Sequence, residues 1–342
     1  MDTKEMKQAK ETTGEEKEEV KEEVREEVKK EEKKGKGKKA VLIGGALLAV
    51  VLIAIAVTVW GIMRNLPEKG YENYTMRFTQ DVVEYSEKYD YWDVLTIEYP
   101  QIEGVEGEQI EKLNKIIYDT AMDRTNYWHL EPNDQVRKFQ DEYTMFCSDV
   151  KSYVTYHSQY LVSIDYFELY APDHPVYYLN FSERGVNMDL VTGEVYGLSD
   201  IFKIDDTFIK VWCSAAHEEY GDSIPDDEET YEIMRTWFLG EDEELNELYE
   251  IRPFFSITEE KDFEIGISIE PKLEGLRGSR PSMNIYSAVI PAKELEACRN
   301  ESEFWNKYEK SESAGEVIQC EELKENIWLG EDAGVWSYWE ER

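Results

Sequence analysis

Histidines and cysteines are scarce in this chain, and carboxylates are abundant. His129, His157, His174 and His217 are the four histidines among 342 residues. His217-Glu218 comes nearest to a zinc-binding helix, which needs a second His one turn later; position 221 is Gly. His217 therefore reads as a helix-surface residue rather than a ligand. Cys147, Cys213, Cys298 and Cys320 show no Cys-x-x-Cys or Cys/His metal spacing. There is no Gly-rich phosphate loop, no Gly-x-Ser-x-Gly elbow and no His-Glu-x-x-His. Seventy-five acidic residues make chance carboxylate pairs certain, so pairing alone marks no acid/base site. The sequence assigns no catalytic, cofactor-binding or metal residue. It does offer a candidate contact surface: Asp173 and His174 in a loop, with Tyr177 and Tyr178 just beyond.

The element that places these residues in the cell is Ala40–Met63, 24 residues without a charge. As a helix it is about 36 Å long, enough to cross a hydrocarbon core of about 30 Å. Lys33, Lys34, Lys36, Lys38 and Lys39 precede it, whereas only Arg64 follows before Glu68. That bias predicts a cytoplasmic N-terminus and an extracellular C-terminal part, anchored in the cell membrane by a single pass. Ala54 and Ala56 would suit a signal-peptide cut, but a 39-residue charged leader favours an uncleaved anchor.

Charge is distributed just as unevenly. Residues 1–39 hold 13 basic and 13 acidic side chains, which leaves 25 and 62 of the chain's 38 and 75 to residues 64–342. The outer part thus carries the whole net charge of −37. Such a surface repels nucleic acid and attracts cationic partners. Outside the cell the four cysteines could pair, and Cys298 with Cys320, bracketing a polar stretch, is the candidate disulfide.

The chain divides by composition into five segments. Residues 1–39 are a Lys/Glu-rich segment whose four-residue repeat at Lys17, Lys21 and Arg25 predicts a single charged helix. Residues 40–63 are the span, and 64–91 a polar stalk broken by Pro67 and Gly70. Residues 92–298 are a folded domain, and 299–342 an acidic extension with Trp305, Trp328, Trp336 and Trp339.

Within the domain, Asp93–Pro100 alternates like a strand that Pro100 ends. Ile110, Leu113, Ile117 and Ala121 share a helix face. Tyr153–Tyr156 and Tyr160–Phe167 read as a hairpin, followed by strand-like runs at 176–181 and 186–190. Phe208, Val211, Trp212 and Ala215 predict a helix, and Asp226–Tyr249 an acidic one. Phe263, Ile265, Ile267 and Ile269 alternate with polar residues, the pattern of a half-buried strand. Pro291 opens a short predicted helix over 292–297. The expected fold is α+β, a largely antiparallel sheet with packed helices, preceded by one transmembrane helix and a charged N-terminal helix.

Four stretches in order carry a resemblance: Glu98-Tyr-Pro-Gln-Ile-Glu-Gly104, Tyr160-Leu-Val-Ser-Ile164 with the Asp173-His-Pro loop, Val186 through Phe202, and Val289-Ile-Pro-Ala-Lys-Glu-Leu295. Together they resemble the extracytoplasmic domain of RsiV-like anti-sigma factors, which also stands N-terminal to PdaC-type peptidoglycan deacetylases. The resemblance implies a binding domain rather than an enzyme. Its ligand would be lysozyme, a strongly basic protein, or a cell-wall component, and its inner partner a sigma factor. Two other expectations compete with it: a cell-envelope hydrolase acting on peptidoglycan, and a structural envelope protein with no ligand.

Overall fold

The chain falls into two units, Met1–Glu68 and Lys69–Arg342. The computed structural model describes residues 69–84, 94–142, 145–173, 180–273 and 285–320, all in the second unit. The expected span, the Lys/Glu segment and three of the tail tryptophans lie outside those residues. No helix among the described residues is long and apolar enough to cross a membrane.

The strands in chain order are β1 (Thr75–Glu84), β2 (Val94–Glu103), β3 (Met145–His157), β4 (Leu161–Asp173), β5 (Asn180–Asp189), β6 (Val195–Tyr196), β7 (Tyr249–Ile257), β8 (Phe263–Pro271), β9 (Ile285–Ile290) and β10 (Glu316–Ile318). The helices are α1 (Glu108–Thr125), α2 (Asp134–Glu142), α3 (Leu198–Ile201), α4 (Asp206–Tyr220), α5 (Glu228–Leu239), α6 (Glu243–Leu248) and α7 (Glu303–Lys310). Seven strands form one sheet in the order β10-β1-β2-β3-β4-β5-β6, and β7-β8-β9 form a second. Among the described residues only β1–β10 and β2–β3 pair in parallel, so the fold is α+β and largely antiparallel, as expected.

Period-two alternation along β4 explains the layering. Val162, Ile164 and Tyr166 face α1, whose Ile110, Leu113, Ile117 and Ala121 form the buried stripe read from the sequence. Tyr166 Oη donates to Ile117 O at 3.1 Å, satisfying a buried hydroxyl. The other face of β4 and β5 packs on the second sheet through buried polar groups. Ile257 N donates to Ser163 Oγ at 3.0 Å, and Asn187 Nδ2 to Phe255 O at 2.7 Å. Gly185 permits the approach: a Cβ there would lie 2.0 Å from Phe255 O.

The second sheet's far side carries an aromatic core with α4, α5 and α7, in which Phe202, Phe263, Phe304, Trp305 and Tyr308 meet at centroid distances of 5.1 to 6.4 Å. The acidic composition is used to start α4, α5 and α6. Asp205 accepts from Thr207 N and Phe208 N, Asp227 from Thr230 N and Asp242 from Leu245 N, each an N-cap.

Several boundaries differ from those the sequence predicts. Residues 75–84 of the expected stalk are β1, held between β2 and β10. Part of the expected extension belongs to the fold, because α7 buries Phe304, Trp305 and Tyr308 and Trp305 Nε1 donates to Ile201 O at 3.2 Å. Pro100 does not end its strand. The β2–β3 ladder covers only Thr96 and Ile97, so Pro100 pairs with β1 alone and its missing N–H is tolerated. Asp226–Tyr249 is two helices, separated at Gly240 with φ 66°. The helix expected over 292–297 is a run of turns ending in a 3-10 turn at Glu296–Cys298.

Candidate functional site

The site begins where α1 runs out. Its last turns present Asp123 and Arg124, and a cation suits the negative end of the helix dipole. The chain continues into a π-turn, Asn126–Leu130, which places Tyr127 beside Arg124, with the guanidinium 5.8 Å from the ring centre. Opposite lie β7 and β8, where Glu250 and Glu270 are paired across the ladder. Two carboxylates so placed repel each other unless cations intervene. Arg124 pairs with Glu270 and lies 3.8 Å from Glu250, while Arg252 reaches Glu250 at 3.0 Å and Glu270 at 3.7 Å. Burial raises the Glu250 carboxyl, but the Arg252 hydrogen bond and the charges of Arg252, Arg124 and Lys272 outweigh it and hold the group below its ordinary range.

These side chains line a cavity of about 380 Å³ that also includes Lys272 and Leu273. The ionic chain continues inward. Asp123 accepts from Arg184 at 3.1 Å, and Arg184 also donates to Thr120 O at 3.0 Å and pairs with Glu168, which is only 1 % exposed. Guanidinium groups and carboxylates held in fixed forks, beside one aromatic ring, can orient a polar ligand bearing hydroxyls or a carboxylate.

Of the residues singled out in the sequence, Asp173 closes β4 opposite Met145. His174, Tyr177 and Tyr178 lie outside the described residues. The expected Cys298–Cys320 bridge is not formed: Cys298 is a free, fully buried thiol in the 3-10 turn. His217 Nδ1 lies 2.9 Å from Ile224 O and 3.0 Å from Gly221 O, so the ring closes the end of α4. His129 is buried, which pushes its pKa down to about 3 and keeps the ring neutral. His157 Nδ1 binds Ala314 O at 2.7 Å, tying β3 to the tail.

Sequence reasoning missed Arg124, Arg252, Glu250 and Glu270. One signal was available. In a domain so short of basic residues, two arginines beside apolar helix and strand patterns are expected to have partners.

No protein-family model matches the chain, and no curated protein matches it. Among solved structures it is similar to a DUF3298 family protein of Bacteroides fragilis, with 10% identity, 71% of this chain and 99% of that chain covered, and a TM-score of 0.44. It is also similar to a DUF3298 family protein of Pseudomonas aeruginosa, with 12% identity, coverage of 67% and 95%, and a TM-score of 0.37.

Proposed function

We propose that this chain is a membrane-anchored capture protein whose folded outer domain binds a cationic extracellular protein of the lysozyme type. The observation that carries the reading is the charge distribution. An uncharged 24-residue segment separates a neutral leader from a part bearing the entire −37. The folded unit starts at Lys69, with five residues between it and the end of that segment. Focused negative potential speeds the arrival of a basic partner, and packed contacts must then retain it. Capture rather than turnover is the reading, with residues 1–39 as the inner segment that a sigma factor would meet.

The test uses the full-length protein in detergent, titrated with lysozyme at low and at high salt. A complex that weakens with salt yet persists is expected. Absence of a complex at both salt concentrations overturns the ligand, and a complex abolished by salt reduces it to charge attraction.

The ionic cavity supports a second ligand. Its guanidinium groups and Tyr127 suit a cell-wall fragment, which carries both hydroxyls and carboxylates. Titration with soluble peptidoglycan fragments is expected to protect Trp or Tyr fluorescence from quenching. No change in wild type, or the same change in Arg252→Ala, removes that ligand.

A further inference from the structure

On the face of β4 and β5 that packs against the second sheet, three carboxylates converge. Asp165 comes from β4, Glu183 from β5 and Glu264 from β8, with one oxygen of each within 4.8 Å of the others. Asp165 and Glu183 are buried, whereas Glu264 is partly exposed and leaves a route from solvent. Oxygens about 2.4 Å from a single ion span that spread.

Two further features point to a missing positive charge. Asp165 Oδ1 is buried without a hydrogen-bond partner. Ser256, which is fully buried and opposite Glu264 in the ladder, turns its hydroxyl toward the Asp165 carboxyl, yet Oγ makes no hydrogen bond of normal geometry. Among the described residues no ion pair reaches Asp165 or Glu264; Glu264 accepts only from Ser287 Oγ, at 2.7 Å. The space is kept open by Gly185, the residue paired with Asp165, where a Cβ would sit 3.3 Å from Asp165 Oδ1. Three carboxylates and a buried hydroxyl converge on one point. A cation engages all of them.

We propose that Asp165, Glu183 and Glu264, with Ser256 Oγ, hold a hard divalent cation of the calcium type that clamps the two sheets together. The donors are all oxygen, without His or Cys, which excludes soft-metal preference. The strands are fixed, and the carboxylates can turn to bind through one or both oxygens. That suits calcium better than magnesium, which demands a tight octahedron and keeps its waters. The site is independent of the ligand proposed above and does not touch the Arg124–Arg252 cavity.

The test is calcium titration of the chelator-stripped full-length protein in detergent, read by calorimetry and by the thermal midpoint. Saturable binding with a Kd of about 10⁻⁴ to 10⁻³ M is expected, with a rise in midpoint that equal magnesium does not reproduce. Asp165→Asn should weaken binding at least about tenfold and abolish the rise. Glu264→Gln, on the exposed side, should do the same and decides the matter if Asp165→Asn fails to fold. Replacing the exposed Glu259 and Glu260 with Gln should leave binding intact. Equal shifts with calcium and magnesium, or shifts unchanged in both site variants, would overturn the site as screening of the acidic surface.

Discussion

The β4–β5 pair buries carboxylates on both faces and treats them in opposite ways. Toward α1, Glu168 is met by Arg184 and by Ser182 Oγ, which donates at 2.9 Å. Toward the second sheet, Asp165 and Glu183 are met by a third carboxylate. Strand β4 thus holds one carboxylate, Glu168, that has its counter-charge within the chain, and another, Asp165, that no ion pair reaches among the described residues. A buried ion is tolerated only with a partner, so Glu168 is complete as folded, whereas Asp165 would be completed by the cation proposed above.

Removing the partner on the complete face should have the largest effect. Arg184→Met strands Glu168 in the interior and should cost about 3–5 kcal/mol. Urea unfolding at pH 7 would show it as a shifted midpoint with unchanged slope; a loss under about 1 kcal/mol would show that Glu168 needs no counter-charge.

Asp149 is an intermediate case, a buried carboxyl with a hydroxyl partner. Thr96 Oγ1 donates to it, yet burial raises its pKa from 3.8 to about 7, against the smaller pull of that bond and of Lys151. The folded state then holds the proton longer than the unfolded state. Its contribution is therefore fully present below about pH 4 and is lost as pH rises toward 7. Asp149→Asn should flatten that part of the stability–pH curve by roughly 2–4 kcal/mol. Parallel curves for variant and wild type would place the carboxyl in solvent.

The comparison predicts the smallest effect at the surface. Arg77 and Glu103 pair at 2.8 Å but are each about half exposed. Arg77→Ala should cost no more than about 1 kcal/mol, and less in high salt. A larger loss in chemical denaturation would mean that the pair belongs to a network.

The contrast also shows which parts of the fold could be read from sequence. The α1 stripe and the alternating residues of β8 were legible because one apolar period dominates each. The polar positions of β8 were misread. Gly266, Ser268 and Glu270 look like a solvent face, but all three are buried, because this face packs on β5 through hydrogen bonds and ions rather than methyl groups. Both the Arg124–Glu270 cavity and the carboxylate cluster lie on that misread face. Strand β1 was hidden for a similar reason: Thr75, Arg77, Thr79 and Asp81 dilute Met76 and Phe78, and its partner β10 lies far along the chain. Helix α7 was hidden by its acidic context, although Phe304, Trp305 and Tyr308 already carry a helical spacing.

The parallel pairing of β1 with β10 bears on how the domain is made. Thr75 leaves the ribosome early, whereas Glu316, its neighbour in the ladder, is synthesised near the end. Until then one side of β1 is a bare row of backbone donors and acceptors, the kind of edge that recruits strands from other chains. A nascent chain emerging from its N-terminus is therefore exposed to mispairing through most of its synthesis, and a copy truncated before residue 316 would remain so permanently.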